Sequence, residues 1–242
     1  MIVLFTDFGL NGPYVGQMKA VLNCEAPGIP VIDLFADAPV YNIQANAFLL
    51  ASYALGFPPR TVFLAVIDPG VGSGQRPPVV VESHGCVFVG PGNGLFDVLC
   101  KRDETSRQWE ILWRPEELSA SFHGRDLFAP VAAQLAVGGE PRMRPLPIDQ
   151  ARIARLPEEL AEVIYIDHFG NLITGIRASA LPEHATLYYR GSEVPRVRTF
   201  AEAPPGCPLC YENSNGLLEV AVNQGAAASL FEAKVGDAVA VT

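Results

Sequence analysis

Short apolar runs alternate with longer helical patterns over the first 150 residues of the chain. Ile2–Thr6 and Thr61–Ile67 are apolar on both faces, which is typical of strands buried in a covered, largely parallel sheet. Ile43–Leu55 carries apolar residues at helical spacing, and Gly56 and two following prolines end that pattern. Strands that alternate with helices indicate an α/β layered domain.

The same reading places the remaining elements of this region. Further strands are predicted at Val31–Leu34, Val79–Glu82 and Cys86–Val89, and further helices at Tyr14–Leu22 and Asp126–Ala136. The second and third of these strands are expected to form a pair joined near Gly85.

The pattern changes after about Pro147, where helical periodicity gives way to short apolar segments separated by Gly, Pro and Glu. The predicted strands are Leu160–Ile166, Leu187–Tyr189, Leu217–Val222 and Ala238–Val241. We therefore predict an N-terminal α/β domain over residues 1–150 and a smaller all-β domain, a barrel or sandwich, over residues 151–242.

Composition narrows the class of protein. Hydrophobic residues make up 49% of the chain and charged residues 18%, as in a compact globular protein. The net charge of −9 repels a phosphate backbone and disfavours nucleic acid as a partner, whereas it would attract a cationic small molecule. No apolar run approaches the roughly 20 residues that span a bilayer, and Met1–Asp7 lacks the basic region of a signal peptide.

The five cysteines are odd in number and irregularly spaced, which favours a reducing cytoplasm over a disulfide scaffold. Cys207 and Cys210 have the spacing of half a zinc site, but the chain contains no second pair. Two ordinary loop cysteines are the simpler interpretation, and no metal site is predicted.

Two aspartates follow predicted strands of the first domain. Asp7 comes after Ile2–Thr6, and Asp68 comes after Thr61–Ile67 and before a glycine-rich loop that also holds Arg76. Ligands of open α/β sheets bind at the carboxyl ends of strands, so the two side chains could share a cleft. Each aspartate taken alone could simply cap a turn.

Three other polar segments are candidates for contact with a ligand, and each also has a plain structural explanation. His123 lies at the entry to a predicted helix, where Arg125 and Asp126 could be a salt-bridged helix start. Asp167 and Asn171 end a strand, and an asparagine that donates and accepts suits the edge of adenine, although the segment also reads as a turn. Residues 212–216 form a second polar turn of the same ambiguity.

These segments, taken together and in this order, resemble the S-adenosyl-L-methionine (SAM) hydroxide adenosyltransferases, a family related to fluorinating and chlorinating enzymes. The resemblance runs through nearly the whole chain and is carried by Thr6–Gly9, Gly16–Lys19, Ile67–Gly72, Pro91–Leu95, Phe122–Asp126, Asp167–Asn171 and Asn213–Ser214. Each motif is moderately specific alone, and their shared order gives the resemblance its weight.

The resemblance implies an N-terminal α/β domain, a C-terminal β-barrel and a homotrimer with active sites between subunits. It places the catalytic set on Asp68, Arg76 and His123 and the ribose-binding carboxylate on Asp7. The implied adenine and methionine contacts are Asp167, Asn171, Ser214, Asn215 and the stretch from Glu219 to Val222, with Phe200 at a ring-packing position. SAM is then the substrate, and no cofactor or metal is needed.

The resemblance also bears on the nucleophile. By this resemblance, the halogenating relatives have a tyrosine at the position of Asp68 and a Tyr-Ser pair at the positions of His123 and Gly124. A carboxylate at position 68 would repel halide and accept a hydrogen bond from water, so water is the expected nucleophile. Asn215 stands where those relatives have an arginine, which leaves recognition of the methionine carboxylate open.

The expected activity is hydrolysis of SAM to adenosine and L-methionine by attack of water at C5′ of the ribose. Which of Asp68, Arg76 and His123 takes the proton cannot be read from the sequence. A halogenase on the same scaffold and a non-catalytic adenosine-binding protein are the alternatives.

Overall fold

The computed structural model describes residues 1–182 and 184–242. Its contacts divide the chain into a first unit, Met1–Ala47 with Phe57–Leu156, and a second unit, Phe48–Gly56 with Pro157–Thr242. The stretch Phe48–Gly56 thus groups with the second unit although it lies within residues 1–150. The domain ranges of 1–150 and 151–242 stay a prediction.

The first unit is built on a seven-stranded sheet with the order β2-β1-β3-β5-β4-β6-β7. Its strands are β1 (Ile2–Thr6), β2 (Val31–Phe35), β3 (Val62–Val66), β4 (Pro78–Ser83), β5 (Cys86–Pro91), β6 (Arg107–Ile111) and β7 (Met143–Pro145). Its helices are α1 (Tyr14–Glu25), the start of α2 (Ile43–Tyr53), α3 (Asp97–Arg102), α4 (Ala129–Ala136) and α5 (Gln150–Ile153). The sequence reading missed α3, β6, β7 and α5.

The sheet is mixed, and the prediction of a largely parallel sheet is corrected in this respect. Strands β2, β1, β3 and β5 run parallel, whereas β4, β6 and β7 join through antiparallel pairs. The reason is the predicted hairpin itself: β4 and β5 are linked by a turn at His84 and Gly85, and so short a link permits only antiparallel pairing.

Apolar packing fixes the position of the parallel strands. All residues of β1 and β3 are buried, and Met18 and Leu22 of α1 pack with α4 residues such as Val131 against the sheet. Each fully buried side chain of this kind contributes about 1.5–3 kcal/mol. Thr6 pairs with Val66, so β1 and β3 end side by side.

The second unit contains two antiparallel sheets, with the orders β12-β13-β9-β8 and β11-β10-β14. The strands are β8 (Leu160–Ile166), β9 (Leu172–Arg177), β10 (Leu187–Tyr189), β11 (Ser192–Val194), β12 (Pro208–Glu212), β13 (Leu217–Val222) and β14 (Val239–Val241), and a short helix α6 spans Ala227–Leu230. Isolated bridges pair Glu162 with Ala238 and Arg196 with Cys210. The all-β character predicted for this region is found.

Within the described residues, no helix has both the length and the apolar character required to cross a membrane.

Candidate active site

Asp7 and Asp68 lie just beyond the ends of the neighbouring strands β1 and β3. Both side chains line one cavity of about 480 Å³, and His123 lines it from the segment that precedes α4. The two strand-end aspartates therefore share a cleft, as the sequence predicted. Aromatic and apolar residues supply much of the remaining wall: Phe8, Tyr14, Val40, Tyr41, Val66, Val71 and Phe122.

Asp68 and His123 also line a second cavity, of about 670 Å³, to which Arg76 contributes. Asp68 and His123 are thus accessible from two cavities, of which Asp7 lines only the first and Arg76 only the second. The structure brings together Asp7, Asp68 and His123 directly, and Arg76 through the adjoining cavity.

The pKa of Asp68 is raised above its ordinary value because burial penalises the charged form. A hydrogen bond from the backbone of Gly70 and the charges of His123 and Arg76 oppose this shift, while the negative charge of Asp7 adds to it. Asp68 is therefore a stronger base than an exposed aspartate and lies within electrostatic reach of the other three groups.

Asp7 is held by the backbone of the loop that follows β2. Its Oδ2 accepts a hydrogen bond of 3.0 Å from the amide of Tyr41, a residue with a φ of 61°. Burial raises the pKa of Asp7, and the Tyr41 amide lowers it. One carboxylate oxygen is fixed in this way, and the other accepts no side-chain hydrogen bond from the described residues.

The segment that carries His123 is fixed by an ion pair. Asp126 accepts from the Arg125 guanidinium at 2.5 Å and from the amide of Ser119 at 3.0 Å, and Arg125 also donates to Gln17 of α1 at 2.9 Å. The salt-bridged helix start considered for Arg125 and Asp126 is thus found. The predicted helix Asp126–Ala136 begins differently, because residues 124–128 form a π-helical turn before α4.

The loop after β3 touches this segment closely. A Cβ atom on Gly72, whose φ is 78°, would lie 2.4 Å from the carbonyl oxygen of Ala120. A side chain at position 72 would push the two loops apart, and with them Asp68 and His123.

A different cavity, of about 730 Å³, lies within the second unit. Seven of the residues that the resemblance implied for substrate contact line it: Asp167, Asn171, Phe200, Ser214, Asn215, Glu219 and Val222. Val220 and Ala221, also in the implied stretch from Glu219 to Val222, are fully buried and are not part of its wall. Its wall also contains the aromatic residues Tyr53, Tyr165, Phe169 and Tyr211. The rings of Phe200 and Tyr211 lie 5.0 Å apart, so the cavity offers flat apolar surface beside polar groups.

The polar groups of this cavity are bonded to one another. Asn171 Nδ2 donates to Asp167 Oδ2 at 3.0 Å, and the Asn171 amide also hydrogen-bonds Glu219. Carboxylates only accept, so the NH₂ group of Asn171 must face Asp167 and Glu219. Its carbonyl oxygen is then the atom available to a ligand.

Glu219 is 5% exposed and accepts from Tyr211 Oη at 2.5 Å and from Asn213 Nδ2 at 3.0 Å. Burial raises the pKa of Glu219, against the lowering effect of these hydrogen bonds. Burial and the charges of Glu219 and Asp167 raise the pKa of Tyr53 to about 12, and Asn215 hydrogen-bonds the Tyr53 side chain.

Comparison with protein families decides the assignment. Residues 2–144 match the SAM hydroxide adenosyltransferase N-terminal domain, and residues 161–240 match the C-terminal domain of the same enzymes. The chain belongs to the SAM hydroxide adenosyltransferase family. The resemblance inferred from the motifs is confirmed.

Individual proteins are also similar to this SAM hydroxide adenosyltransferase. The chain is 38% identical to the (R)-S-adenosyl-L-methionine hydrolase of Thermus thermophilus, over 97% of this chain and 96% of the relative. It is 23% identical to a fluorinase of Actinoplanes sp., over 100% of this chain and 97% of the relative. A crystal structure of an uncharacterized conserved protein from Thermotoga maritima superposes with a TM-score of 0.85 at 30% identity, covering 100% of both chains.

Three residues of this SAM hydroxide adenosyltransferase were missed by the sequence reading. Tyr53 lies in α2, and no local pattern indicates that the end of this helix belongs to the second unit. Tyr211 pairs with Glu219 across β12 and β13, which the hairpin turn between them could have indicated. Asn93 was noted only as part of a motif, yet it hydrogen-bonds the backbone next to Asp68.

The two cysteines interpreted as loop residues differ in position: Cys207 directly precedes β12, whereas Cys210 lies within that strand and not in a loop. Cys210 is buried, and its thiol lies 3.4 Å from the Val194 carbonyl oxygen. All five cysteines are free thiols. Across residues 1–182 and 184–242, no three His, Cys, Asp or Glu side chains cluster so as to hold a metal ion.

Proposed function

We propose that this protein hydrolyses SAM to adenosine and L-methionine by direct attack of water at C5′ of the ribose. The carrying observation is that Asp68, Arg76 and His123 meet around two adjoining cavities, with Asp7 in one of them. The name of the Thermus thermophilus relative, a SAM hydrolase, supports the same reaction.

In this reaction the oxygen of water forms a bond to C5′ as the C5′–S bond breaks. The bonding electrons return to sulfur, and methionine leaves as a neutral thioether that needs no proton. The protein must therefore desolvate, orient and deprotonate the water rather than assist the leaving group. For the same reason we propose that turnover needs no metal or cofactor.

We assign the proton-accepting role to Asp68. Burial makes its carboxylate more basic than an exposed one, while His123 and Arg76 keep enough positive charge nearby for it to ionise. Arg76 and His123 would stabilise the hydroxide character of the attacking oxygen. Asp7, with one oxygen held by Tyr41, would accept hydrogen bonds from the ribose hydroxyls.

The second-unit cavity would hold adenine and the methionine part. The free carbonyl oxygen of Asn171 suits the exocyclic amine of adenine, and the ring pair of Phe200 and Tyr211 suits a planar base. Ser214, Asn215, Val222 and the polar groups around Glu219 complete the proposed contacts.

We extend the proposal to the architecture that the resemblance implied. Bridges from Glu162 to Ala238 and from Arg196 to Cys210 join the two sheets of the second unit at both pairs of edges. Such links support a closed barrel. A homotrimer with sites between subunits and a cytoplasmic location also stay part of the proposal.

The test is incubation of the purified protein with SAM in oxygen-18 water, with and without chloride, followed by chromatography with mass detection. The (R) and (S) configurations at sulfur are supplied separately. Adenosine labelled at its 5′ oxygen, with methionine, is expected from water attack. A chloride-dependent 5′-halogenated adenosine would overturn hydrolysis in favour of halogenation, and intact SAM that stays bound would favour a binding protein.

A further inference from the structure

The loop that carries Asp68 and Arg76 leaves the sheet at the end of β3 and re-enters it at the start of β4. Strand β5 lies between these two strands, with Leu64 paired to Val89 on one side and Pro78 paired to Pro91 on the other. The turn that follows β5, residues 92–95, therefore lies beside both ends of the loop.

Asn93 contacts the first end of the loop. Its Nδ2 donates to the carbonyl oxygen of Ile67 at 2.8 Å, directly before Asp68, and its Oδ1 accepts from the Leu95 amide at 3.2 Å. Asn93 is 9% exposed and Ile67 is fully buried. The side-chain amide of Asn93 thus provides a hydrogen-bond donor for a buried carbonyl that lies just beyond the last paired residue of β3.

Gly92 contacts the other end of the loop. Its amide donates to the carbonyl oxygen of Pro77 at 2.9 Å, one residue after Arg76. A Cβ atom on Gly92 would lie 2.7 Å from that oxygen and 3.0 Å from Cγ1 of Val79. Only a glycine allows the turn to approach the loop so closely.

Between its anchored ends, the backbone hydrogen bonds of the loop among the described residues are local turns. Val71 donates to the carbonyl of Asp68 at 3.2 Å, and Ser73 donates to the carbonyl of Gly70 at 3.1 Å. The placement of Asp68 and Arg76 thus depends on the two end contacts and on the close approach of Gly72 to Ala120.

We propose that Asn93 is a positioning residue for hydrolysis, whose turn clamps both ends of the loop and sets Asp68 and Arg76 in their reactive places. This inference rests on the proposed function. It assigns Asn93 no contact with substrate. Its effect should therefore fall on the rate of the chemical step and spare substrate binding, which uses Asp7 and the second-unit cavity.

The test compares Asn93→Ala with Thr61→Ala. Thr61 is 1% exposed and donates to the Pro58 carbonyl oxygen at 2.7 Å, beside the opposite end of β3. Each variant removes one buried side-chain donor to a backbone carbonyl of the first unit, so a general loss of stability would affect both. Turnover and hydrogen exchange of the loop amides are measured on both full-length proteins.

Asn93→Ala is expected to lower kcat by about a hundredfold with KM nearly unchanged, because a misplacement of about 1 Å has that cost. The amides of Val71 and Ser73 should exchange faster in Asn93→Ala and not in Thr61→Ala. If Asn93→Ala does not fold, Gly92→Ala perturbs the loop from its other end and should also lower kcat.

A folded Asn93→Ala protein with the kcat of Thr61→Ala would overturn the inference, and so would a fall in kcat without faster exchange of the loop. An inactive wild-type protein would instead contradict the proposed function. The exchange of Val71 and Ser73 would even then decide whether Asn93 anchors the loop.

Discussion

The cavities of the two units hold their polar groups in opposite ways. In the second unit, Asn171, Glu219 and Tyr211 are bonded to one another or to neighbouring side chains. In the first unit, Arg76 and His123 make no side-chain hydrogen bond within the residues that the structure describes, and Asp68 accepts one from a backbone amide.

This difference separates binding from chemistry. Groups that are already bonded to each other present a fixed pattern of donors and acceptors, which gives selectivity for one ligand. Groups with free bonding capacity can orient and activate a small nucleophile such as water. Substitutions of Asp68, Arg76 and His123 should therefore change rates, and those of Asp7 and of the second-unit cavity should change affinities.

The largest effect is expected from Asp68→Asn, because an amide cannot take a proton from water. We expect kcat to fall by about a thousandfold, in the range general base catalysis supplies, while adenosine still binds. Turnover and calorimetric titration with adenosine check the two parts. Asp33→Asn, which alters an exposed pair with Lys19 on the same sheet, is the matched control.

Full turnover by folded Asp68→Asn and His123→Ala proteins would show that the catalytic set is assigned wrongly. Loss of adenosine binding in Asp68→Asn would erase the separation between the two cavities.

Glu219→Gln should change selectivity instead. A glutamine can no longer accept from every donor that Glu219 serves, so the orientation of the Asn171 amide is released. The wild-type protein should bind adenosine more tightly than inosine, which has an oxygen in place of the exocyclic amine. The variant should lose about tenfold of that preference, as expected for one charge-assisted hydrogen bond.

Calorimetry with both nucleosides measures this ratio. Glu212→Gln, an exposed position on the same hairpin, is the control. An unchanged adenosine-to-inosine ratio in Glu219→Gln would mean that Asn171 does not read the amine through its carbonyl oxygen.

The sequence predicted the residues that line both cavities better than it predicted the contacts that fix those residues in place. The apolar runs of β1 and β3 identify buried strands, and the residues after them must lie at one edge of the sheet. The role proposed for Asn93 depends on β5 lying between β3 and β4, a pairing that no local pattern encodes. The position of Tyr53 likewise depends on contacts formed by a distant part of the chain.

The coupling between Asp7 and Asp68 predicts a change in pH dependence. In the proposed mechanism ionised Asp68 takes the proton from water, so kcat/KM should rise with pH through the raised pKa of that group. Removing the negative charge in Asp7→Asn should move this acid limb to lower pH, even as KM increases. A pH profile of kcat/KM for both proteins measures the shift, and an acid limb that stays in place would contradict the coupling.

The smallest expected effect concerns stability. The pKa of Asp68 is raised in the folded protein by burial, so this group contributes stability below its unfolded pKa and loses it as the pH rises through the folded value. At neutral pH the buried carboxylate therefore lowers the free energy of unfolding, and Asp68→Asn should unfold at a higher denaturant concentration than the wild-type protein. The difference should vanish in acid.

Asp126, in the same unit, is expected to show the opposite dependence of folding stability on pH. Its pKa is lowered, chiefly by the hydrogen bond from Arg125, so its stabilisation is present above the unfolded pKa and is lost as the pH falls through the folded value. Asp126→Asn should therefore destabilise the protein at neutral pH. Denaturant unfolding of both variants across the acid range measures the two trends, and a shared direction would show that local packing, not charge, governs stability around the candidate active site.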